Sequence, residues 1–230
     1  MKNKPDISIV FPVMNQADHI ESVIRSYYKV LTKEKLSFEL IAVINGTKDN
    51  SYEICKKVGG ELPSVSAYEL KKGGFGLGIL YGLKKARGKY LCYVSCARVW
   101  SDELVMCLKY FLVDPKIVVH AVRRKRDTFT RTITSIIYNG FCRLFFNIYY
   151  TDIDGSPKIF SRKYYDLMKL HFTNSMIDLE FQEKAKTLGI RTIEVPIYKN
   201  LRHGGRSTSN WRTSFRLIKE VTGYWIKTRL

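Results

Sequence analysis

Short apolar runs alternate with helix-like segments through the amino-terminal part of the chain. Residues 7–13 (ISIVFPV) and 38–44 (FELIAVI) are two such runs, and residues 89–95 (KYLCYVS) are a third. Helical spacing follows the first run in four apolar residues: Ile20, Val23, Ile24 and Tyr27. Strands separated by helices of about a dozen residues are typical of parallel strand–helix–strand units. The alternation therefore predicts an α/β fold with a mostly parallel, doubly wound central sheet.

The rhythm loosens in the carboxyl-terminal part. Three further elements are predicted: a helix at 101–112, a strand at 117–122 and a helix at 177–189. Gly189 ends the second of these helices, and a strand follows at 190–198 (IRTIEVPIY), where Pro196 is expected to stop it. In the first helix of the chain, Asp18 and Glu21 are placed like the two members of a capping box.

An aromatic-rich segment and a basic tail complete the sequence. Residues 135–150 (SIIYNGFCRLFFNIYY) carry bulky side chains too densely for an ordinary exposed helix, so we expect this segment to be buried or at an interface. Residues 211–230 mix apolar residues with lysines and arginines, which is typical of a basic amphipathic helix. We therefore expect a single α/β domain at 1–210, and a helix at 211–230 that packs on it or lies at a membrane surface.

The charge of the chain narrows its choice of partners. The formal net charge is +18 at pH 7, which favours anions such as nucleic acid, anionic lipid or phosphorylated small molecules. The basic residues cluster at predicted strand ends around a pocket, and the sequence carries no recognised nucleic-acid-binding motif. We therefore expect no nucleic-acid partner.

Cysteine usage and hydropathy bear on the cellular compartment. The five cysteines form no Cys-x-x-Cys pair, and no hydrophobic signal stands at the amino terminus, as is usual for intracellular proteins with reduced thiols. No window approaches the roughly 18 consecutive apolar residues that span a bilayer. We expect a cytoplasmic protein that contacts a membrane, if it contacts one, peripherally at the cytoplasmic face.

The stretch INGTKDN at 44–50 is the first candidate binding segment. Asn45, Gly46 and Thr47 end a predicted strand, and Asp49 stands at the start of the next helix. Side-chain and backbone polar groups at a helix amino terminus suit a nucleotide base or ribose. The alternative is a plain turn with a helix cap, since these residue types are common in turns.

A glycine-rich stretch, KKGGFGLGILYG at 71–82, is the second candidate. A backbone without side chains at Gly74 would let a diphosphate approach, with Lys71 or Lys72 supplying charge. The spacing does not fit the dinucleotide fingerprint, because a glycine falls one position early at Gly78. A flexible turn with close helix packing explains the glycines equally well.

Two basic clusters follow predicted strands. The first contains Arg123, Arg124, Lys125 and Arg126, with Arg131 nearby, and the second contains Arg202, Arg206, Ser207 and Thr208. Guanidinium groups bind phosphate with two parallel hydrogen bonds, so both clusters are candidate phosphate sites. A solvated charged face is the alternative, and His203 in the second cluster is expected to be incidental.

These segments, taken in order, resemble the family-2 glycosyltransferases of the GT-A (Rossmann-like) fold, and most closely the dolichol-phosphate mannose synthase and polyprenyl-phosphate branch. SIVFPVMNQADHI resembles that family's opening strand and turn, with Pro12 and Asn15 at matching positions, and AVINGTKDNS is similar to the strand end that contacts the nucleotide base. RRKRDTFTRTITSIIYN is similar to the segment that holds the lipid phosphate and leaving diphosphate. That likeness implies this role for four residues: Arg123, Arg126, Arg131 and Ser135.

The resemblance also implies a pair of substrates, and it shows that this sequence lacks acidic residues that the family usually has. The expected partners are a nucleoside-diphosphate sugar and a polyprenyl phosphate or another acceptor. The family's Asp-x-Asp motif, whose carboxylates hold a divalent ion, falls on Ser95 and Ala97. Ile44, Asn45 and Gln16 likewise stand where acids are common. Magnesium or manganese needs oxygen ligands, mostly carboxylates, so we expect no metal ligands at the usual site.

Two functional hypotheses remain open. In one, the enzyme inverts the sugar's configuration without a metal, and cationic side chains neutralise the leaving diphosphate. Six residues are candidates for that charge: Lys71, Lys72, Arg98, Arg123, Arg126 and Arg206. In the other, the chain is a degenerate member that binds a nucleotide, lipid or regulatory partner without catalysis. A polyprenyl phosphate acceptor needs no strong base, whereas a hydroxyl acceptor would, and Asp178 is then the candidate. The alternative role of Asp178 is to cap the helix that follows it.

Overall fold

The protein is a seven-stranded sheet covered by helices. The computed structural model describes residues 4–124, 129–199, 202–204, 217 and 219–226. The strands are β1 (Ile7–Val13), β2 (Phe38–Asn45), β3 (Val65–Leu70), β4 (Tyr90–Tyr93), β5 (Val118–Arg123), β6 (Lys158–Ser161) and β7 (Thr192–Ile197). The helices are α1 (Ile20–Leu31), α2 (Ser51–Glu61), α3 (Phe75–Lys85), α4 (Ser101–Val113), α5 (Phe129–Phe146), α6 (Arg162–Met168) and α7 (Ile177–Thr187), and residues 219–226 are also helical.

The sheet is mostly parallel, as predicted. Its order is β3-β2-β1-β4-β6-β5-β7, and only β6 runs against its neighbours β4 and β5. The strand order reverses between β1 and β4, which pair in parallel. In sheets of this kind, ligands bind beyond the carboxyl ends of the strands at such a reversal. The fold therefore directs attention to the loops after β1, β2, β4 and β5, and to the start of the antiparallel β6.

Two apolar layers hold the sheet. Every residue of β1 is buried, as expected for a central strand covered on both faces. One layer joins the sheet to α1, α2 and α4, with Tyr27 and Phe111 among its largest side chains. The other joins it to α3, α6 and α7 through residues such as Leu83, Phe160 and Phe181. This packing fixes the strand ends on which the candidate site is built.

Several local predictions are corrected. Strand β3 was not predicted, because its residues are mostly only partly buried at the edge of the sheet. Pro196 lies inside β7 rather than stopping it, and an edge strand tolerates proline because one side of it needs no donor. The capping box is wrong: His19 occupies the N-cap, and Asp18 contacts the His19 ring instead. Glu21 pairs with Arg25 one turn along α1.

The aromatic-rich segment is only half buried. Tyr138, Cys142 and Ile148 enter a third apolar cluster, which Val221 of the helical residues 219–226 completes. The opposite side of α5 is exposed, so burial holds for one side of the segment, and an interface stays a prediction for the other. No helix in the described ranges is both long and apolar enough to cross a membrane. Residues 211–216, 218 and 227–230 of the predicted tail helix lie outside the described residues.

Candidate functional site

The loops after β1 and β2 brace one another at the sheet's carboxyl edge. The Asn15 backbone N–H donates to Thr47 Oγ1 at 2.8 Å, and the Lys48 N–H donates to Asn15 Oδ1 at 2.8 Å. Asn15 has a φ of 53°, a left-handed conformation that asparagine tolerates better than most residues. The Ala17 N–H donates to Asp49 Oδ2 at 2.9 Å. Predicted site residues from two separate segments therefore form one rigid rim.

Asp49 stabilises this rim by accepting hydrogen bonds from within the protein. Its Oδ1 accepts from the Ser51 hydroxyl at 2.6 Å and from the Ser51 N–H at 3.1 Å. Partial burial alone would raise the pKa of Asp49, but the hydrogen bonds from Ser51 and Ala17 outweigh it and lower that pKa. Both carboxylate oxygens of Asp49 are therefore engaged by groups of the protein, as the alternative of a turn at the start of a helix implies. Thr47, whose hydroxyl accepts from Asn15, still has its own O–H to donate.

Asn45 and the glycine turn form the floor of this rim. The buried Asn45 donates from Nδ2 to the Gly74 carbonyl at 2.6 Å. Gly46 has a φ of +61°, and a Cβ there would lie 2.6 Å from Gly73 Cα. A Cβ at Gly78 would lie 2.7 Å from Asn45 Nδ2. The later glycines are therefore needed for packing, whereas Gly73 and Gly74 form the turn itself.

Lys72 and Pro12 flank this floor. Pro12 lies in the buried strand β1, and a Cβ on Gly78 would also approach its side chain, at 2.8 Å. Lys72 is exposed beside the turn, where its ammonium can reach an incoming anion.

Ser95 and Ala97, which stand where the resemblance places an Asp-x-Asp motif, directly follow β4. The Ser95 N–H donates to Ser156 Oγ at 3.2 Å, and Ala97 is buried. The His203 N–H donates to the Ala97 carbonyl at 3.0 Å, and the His203 ring packs on Trp100 with centroids 4.3 Å apart. His203, expected to be incidental, in fact fastens the segment 202–204 onto this loop.

The donor set here does not fit a hard divalent cation. Ser95 offers a hydroxyl and Ala97 offers no side-chain donor. The nearby acids are engaged: Asp102 pairs with Lys199 at 2.6 Å, and Glu103 accepts from the backbone N–H groups of Tyr198 and Lys199. Across the described ranges, no three His, Cys, Asp or Glu side chains converge as metal ligands would.

A buried ion pair lies beneath the strand ends. Lys158, the first residue of β6, has no exposed surface and pairs through Nζ with Asp178 Oδ1 of α7. The same ammonium donates to the carbonyls of Ile153 at 3.0 Å and Gly155 at 2.7 Å. Tyr93 donates its hydroxyl to Asp178 Oδ1 at 2.9 Å. Asp178 therefore fixes the floor of the site, and it can act as a base only by giving up part of this network.

More acidic and basic groups surround this pair. Asp152 accepts from Arg123 Nε at 2.7 Å and Nη2 at 2.8 Å, a two-pronged ion pair at the end of β5. Asp154 Oδ1 is buried without a hydrogen-bond partner. Burial, and then the charge of Asp178, raise the pKa of Asp154 to about 7. Burial, and then the charge of Lys158, lower the pKa of His120 to about 3, so its ring is neutral at physiological pH.

The arginine-rich side of the site spans two elements. Burial, and then the charge of Arg202, lower the pKa of Arg131. The charge of Asp154 acts on Arg131 in the opposite direction. Arg202 Nε donates to the Gly204 carbonyl at 3.1 Å. Like charges gathered in this way favour the binding of an anion between them.

A cavity of about 300 Å³ opens beside this region, between β5 and α5. Ser135 lines it and accepts from Asn139 Nδ2 at 3.0 Å. Arg124 and Arg143 also line it, and Arg123 reaches both this cavity and a smaller one beside Ser95. Five residues of the two predicted phosphate-binding clusters lie outside the described residues: Lys125, Arg126, Arg206, Ser207 and Thr208.

The structure thus gathers the described candidates at one edge of the sheet, and it adds groups that the sequence did not single out. Lys158, Asp154 and His120 are the main additions. The segment DIDGSPKIF at 152–160 contains the first two. Lysine is mostly exposed in proteins, so no local pattern in this segment predicts that Lys158 is buried.

Comparisons with known proteins agree with this architecture. Among curated proteins, the chain is 29% identical over 170 residues to the uncharacterized glycosyltransferase YkcC of Bacillus subtilis (strain 168), covering 70% of this chain and 51% of that protein. It is 30% identical over 91 residues to the uncharacterized glycosyltransferase RT0329 of Rickettsia typhi, covering 40% of this chain and 27% of that protein. The chain therefore spans about half or less of these relatives' lengths.

A solved structure and a family match complete the comparison. Glucosyl-3-phosphoglycerate synthase of Mycobacterium tuberculosis, crystallised with phosphoglyceric acid, superposes with a TM-score of 0.72 at 16% identity, covering 97% of this chain and 79% of that one. This likeness confirms the GT-A-like fold alone. The model of the family described as "Glycosyl transferase family 2" matches residues 8–177, which is most of the chain. The chain therefore belongs to glycosyl transferase family 2.

Proposed function

We propose that this protein transfers a sugar, with inversion, from a nucleoside-diphosphate sugar to a polyprenyl phosphate. Membership of family 2 implies a nucleotide-sugar donor and an acceptor. The observation that carries the finer proposal is the basic lining of two cavities: Arg124 and Arg143 line the one beside α5, and Arg98 and Lys199 line the one beside Ser95. Guanidinium groups bind phosphate with two parallel hydrogen bonds, so these cavities suit two phosphorylated substrates.

The donor fits the braced rim. Asn45, Thr47 and Asp49 lie on the β2 side of it, where the base and ribose of the donor would bind, and Pro12 and Asn15 lie on the β1 side. Lys72 and the turn at Gly74 would meet the diphosphate. The rim is held by hydrogen bonds before any ligand arrives, so little ordering cost is left for binding.

Cationic side chains would take over the charge stabilisation that a divalent ion usually supplies. A diphosphate leaving group gathers negative charge as the bond to the sugar breaks, and groups already oriented toward it lower the barrier most. Arg98 and Lys199 line the small cavity beside Ser95, and Arg131 and Arg202 are further candidates for this role. Arg123 is committed to Asp152, so its contribution is mainly to position the end of β5.

The buried state of Asp178 favours a phosphate acceptor over a hydroxyl. An acceptor phosphate oxygen is already anionic, and it would attack the anomeric carbon as the bond from that carbon to the diphosphate oxygen breaks. The nucleoside diphosphate leaves with the bonding electrons, and no proton needs to be removed. A hydroxyl acceptor would need a base. Asp178 is tied to Lys158 and Tyr93, so a phosphate acceptor suits the site better.

Calorimetric titration tests this proposal. The protein is titrated with UDP- and GDP-sugars, each with magnesium, with manganese and with EDTA, and turnover is then measured with polyprenyl phosphate. We expect binding that survives EDTA. Arg131→Gln should weaken it, whereas Arg191→Gln, a control at the exposed Asp114 pair before β7, should not. Absence of nucleotide-sugar binding under all three conditions would refute the proposal.

The residues at the end of β4 favour a second candidate, a family member without catalysis. Ser95 and Ala97 leave the position of the usual metal motif without a carboxylate, so the chain would bind a nucleotide, lipid or partner only. Aspartate at both positions tests this: the double variant Ser95→Asp/Ala97→Asp should gain metal-dependent nucleotide binding if a catalytic pocket has decayed. Robust turnover by the unaltered protein would exclude this candidate.

A further inference from the structure

Helix α5 exposes a continuous apolar stripe. Six large side chains form it: Phe129, Ile133, Ile136, Ile137, Phe141 and Leu144. At 100° per residue they fall within an arc of about 140°, and they run along about 22 Å of the helix. Phe129 and Leu144 at its ends are each 78% exposed, and Ile136 near the middle is 66% exposed. No charged residue falls within the arc.

Helix α5 carries apolar side chains on two sides. On the side toward the protein, Tyr138 and Cys142 are buried, and beside them Asn139 Oδ1 accepts from the Ile153 N–H at 2.9 Å. A surface helix normally buries one apolar stripe and exposes a polar face. Here a second apolar stripe stands where the exposed polar face would be. A contiguous apolar surface of this kind marks an interaction site.

We infer that this stripe rests on an anionic membrane surface, with α5 lying in the plane of the interface. This extends the proposed function, because it would hold the site against the layer that contains a polyprenyl phosphate. A second copy of the chain is disfavoured as the occupant, since two chains of net charge +18 repel one another. The same charge attracts anionic headgroups, and basic residues combined with inserted apolar side chains bind such membranes together.

The cavity beside α5 supplies the polar border of the stripe. Ile136 belongs to the stripe and also lines the cavity of about 300 Å³, next to Arg124 and Arg143. Both arginines are exposed, and Arg143 donates to the carbonyls of Tyr150 and Thr151, which fixes its position. With the stripe inserted among acyl chains, these guanidinium groups lie at the depth of the lipid phosphates.

Vesicle co-sedimentation tests the inference in the absence of any nucleotide sugar. The vesicles are made of phosphatidylcholine alone or of phosphatidylcholine with phosphatidylglycerol. The stripe variant is Phe129→Ser/Ile136→Ser/Leu144→Ser, and the matched control is Tyr110→Ser/Val113→Ser/Leu167→Ser. All six side chains are exposed, so neither variant removes core packing. The single variant Ile136→Ser serves as a milder perturbation.

The unaltered protein should sediment with the anionic vesicles and less with the neutral ones. The stripe variant should bind about tenfold more weakly or worse, because three inserted apolar side chains are lost, while the control stays within about twofold. No sedimentation of the unaltered protein with anionic vesicles would overturn the inference. So would equal binding by the stripe variant, or self-association of the unaltered protein that the stripe variant abolishes. Nucleotide-sugar titration of the same variants separates this outcome from failure of the proposed function.

Discussion

Replacing Lys158 by methionine should destabilise the protein by about 3–5 kcal/mol, the usual cost of removing one partner from a buried ion pair. Lys158 has no exposed surface, and its ammonium holds Asp178 together with the carbonyls of Ile153 and Gly155. Methionine has a similar length but no donor. Asp178 would then keep a buried negative charge. Of its two described partners, Lys158 and Tyr93, only the Tyr93 hydroxyl would remain.

The measurement is urea unfolding at neutral pH, followed by a double-mutant cycle. The variants are Lys158→Met, Asp178→Asn and the two combined. Each single change leaves a buried partner unsatisfied, whereas the double variant removes both charges of the pair, so its cost should be at least about 1.5 kcal/mol below the sum of the two. The slope of the transition should stay constant, which shows that the unfolded reference is unchanged.

Arg191→Gln provides the comparison, because the Arg191–Asp114 pair is also a direct ion pair, at 2.8 Å, but is largely exposed. Its loss should cost less than about 1 kcal/mol. A cost below about 1 kcal/mol for Lys158→Met, or strict additivity in the cycle, would refute the assignment of Lys158 as the clamp beneath the site.

Two further predictions concern the same edge of the sheet. Asp154 has a pKa raised to about 7 from 3.8, so between these values the folded protein holds a proton that the unfolded chain has released, and stability falls as pH rises through this window. Asp154→Asn should therefore stabilise the protein by about 2 kcal/mol near pH 8 and by much less near pH 4, measured by unfolding at both; an equal effect at the two pH values would contradict this. Gly46→Ala should cost about 1–2 kcal/mol, because Gly46 has a φ of +61° and a Cβ would meet Gly73. Gly60→Ala in α2, where a Cβ meets nothing within 4 Å, should instead stabilise by about 0.5–1 kcal/mol, and thermal unfolding of the two variants would expose any failure of this contrast.

Local sequence patterns were sufficient for most of the fold. Four strands, β1, β2, β4 and β5, could be predicted because a strand that is buried on both faces is a nearly continuous apolar run. The helices between them follow from 3.6-residue spacing and from stops such as Gly189, whose φ of 64° ends α7 as predicted. β3 was missed because an edge strand is only partly buried and lacks that run.

The site was predictable only in outline. The carboxyl ends of parallel strands must share an edge, so the segments after β1, β2, β4 and β5 were expected to meet. The sequence does not predict which polar side chains form hydrogen bonds or ion pairs within the protein and which stay available to a ligand. The Asp49 carboxylate accepts from Ala17 and Ser51, Arg123 pairs with Asp152, and the His203 N–H donates to Ala97. Such pairings join residues that are distant in sequence, and only three-dimensional proximity selects the partner.

The sequence by itself determined the α/β architecture, the family resemblance, the positive charge and the absence of acids at positions 95 and 97, because each of these is a property of residue order or composition. The tertiary structure alone decided that Lys158 lies buried against Asp178 and that one side of α5 leaves an apolar stripe exposed. The first depends on how the antiparallel β6 packs against α7, and the second on how α5 packs against α7 and residues 219–226. Local spacing reports only the faces of an element, whereas packing decides which face meets solvent.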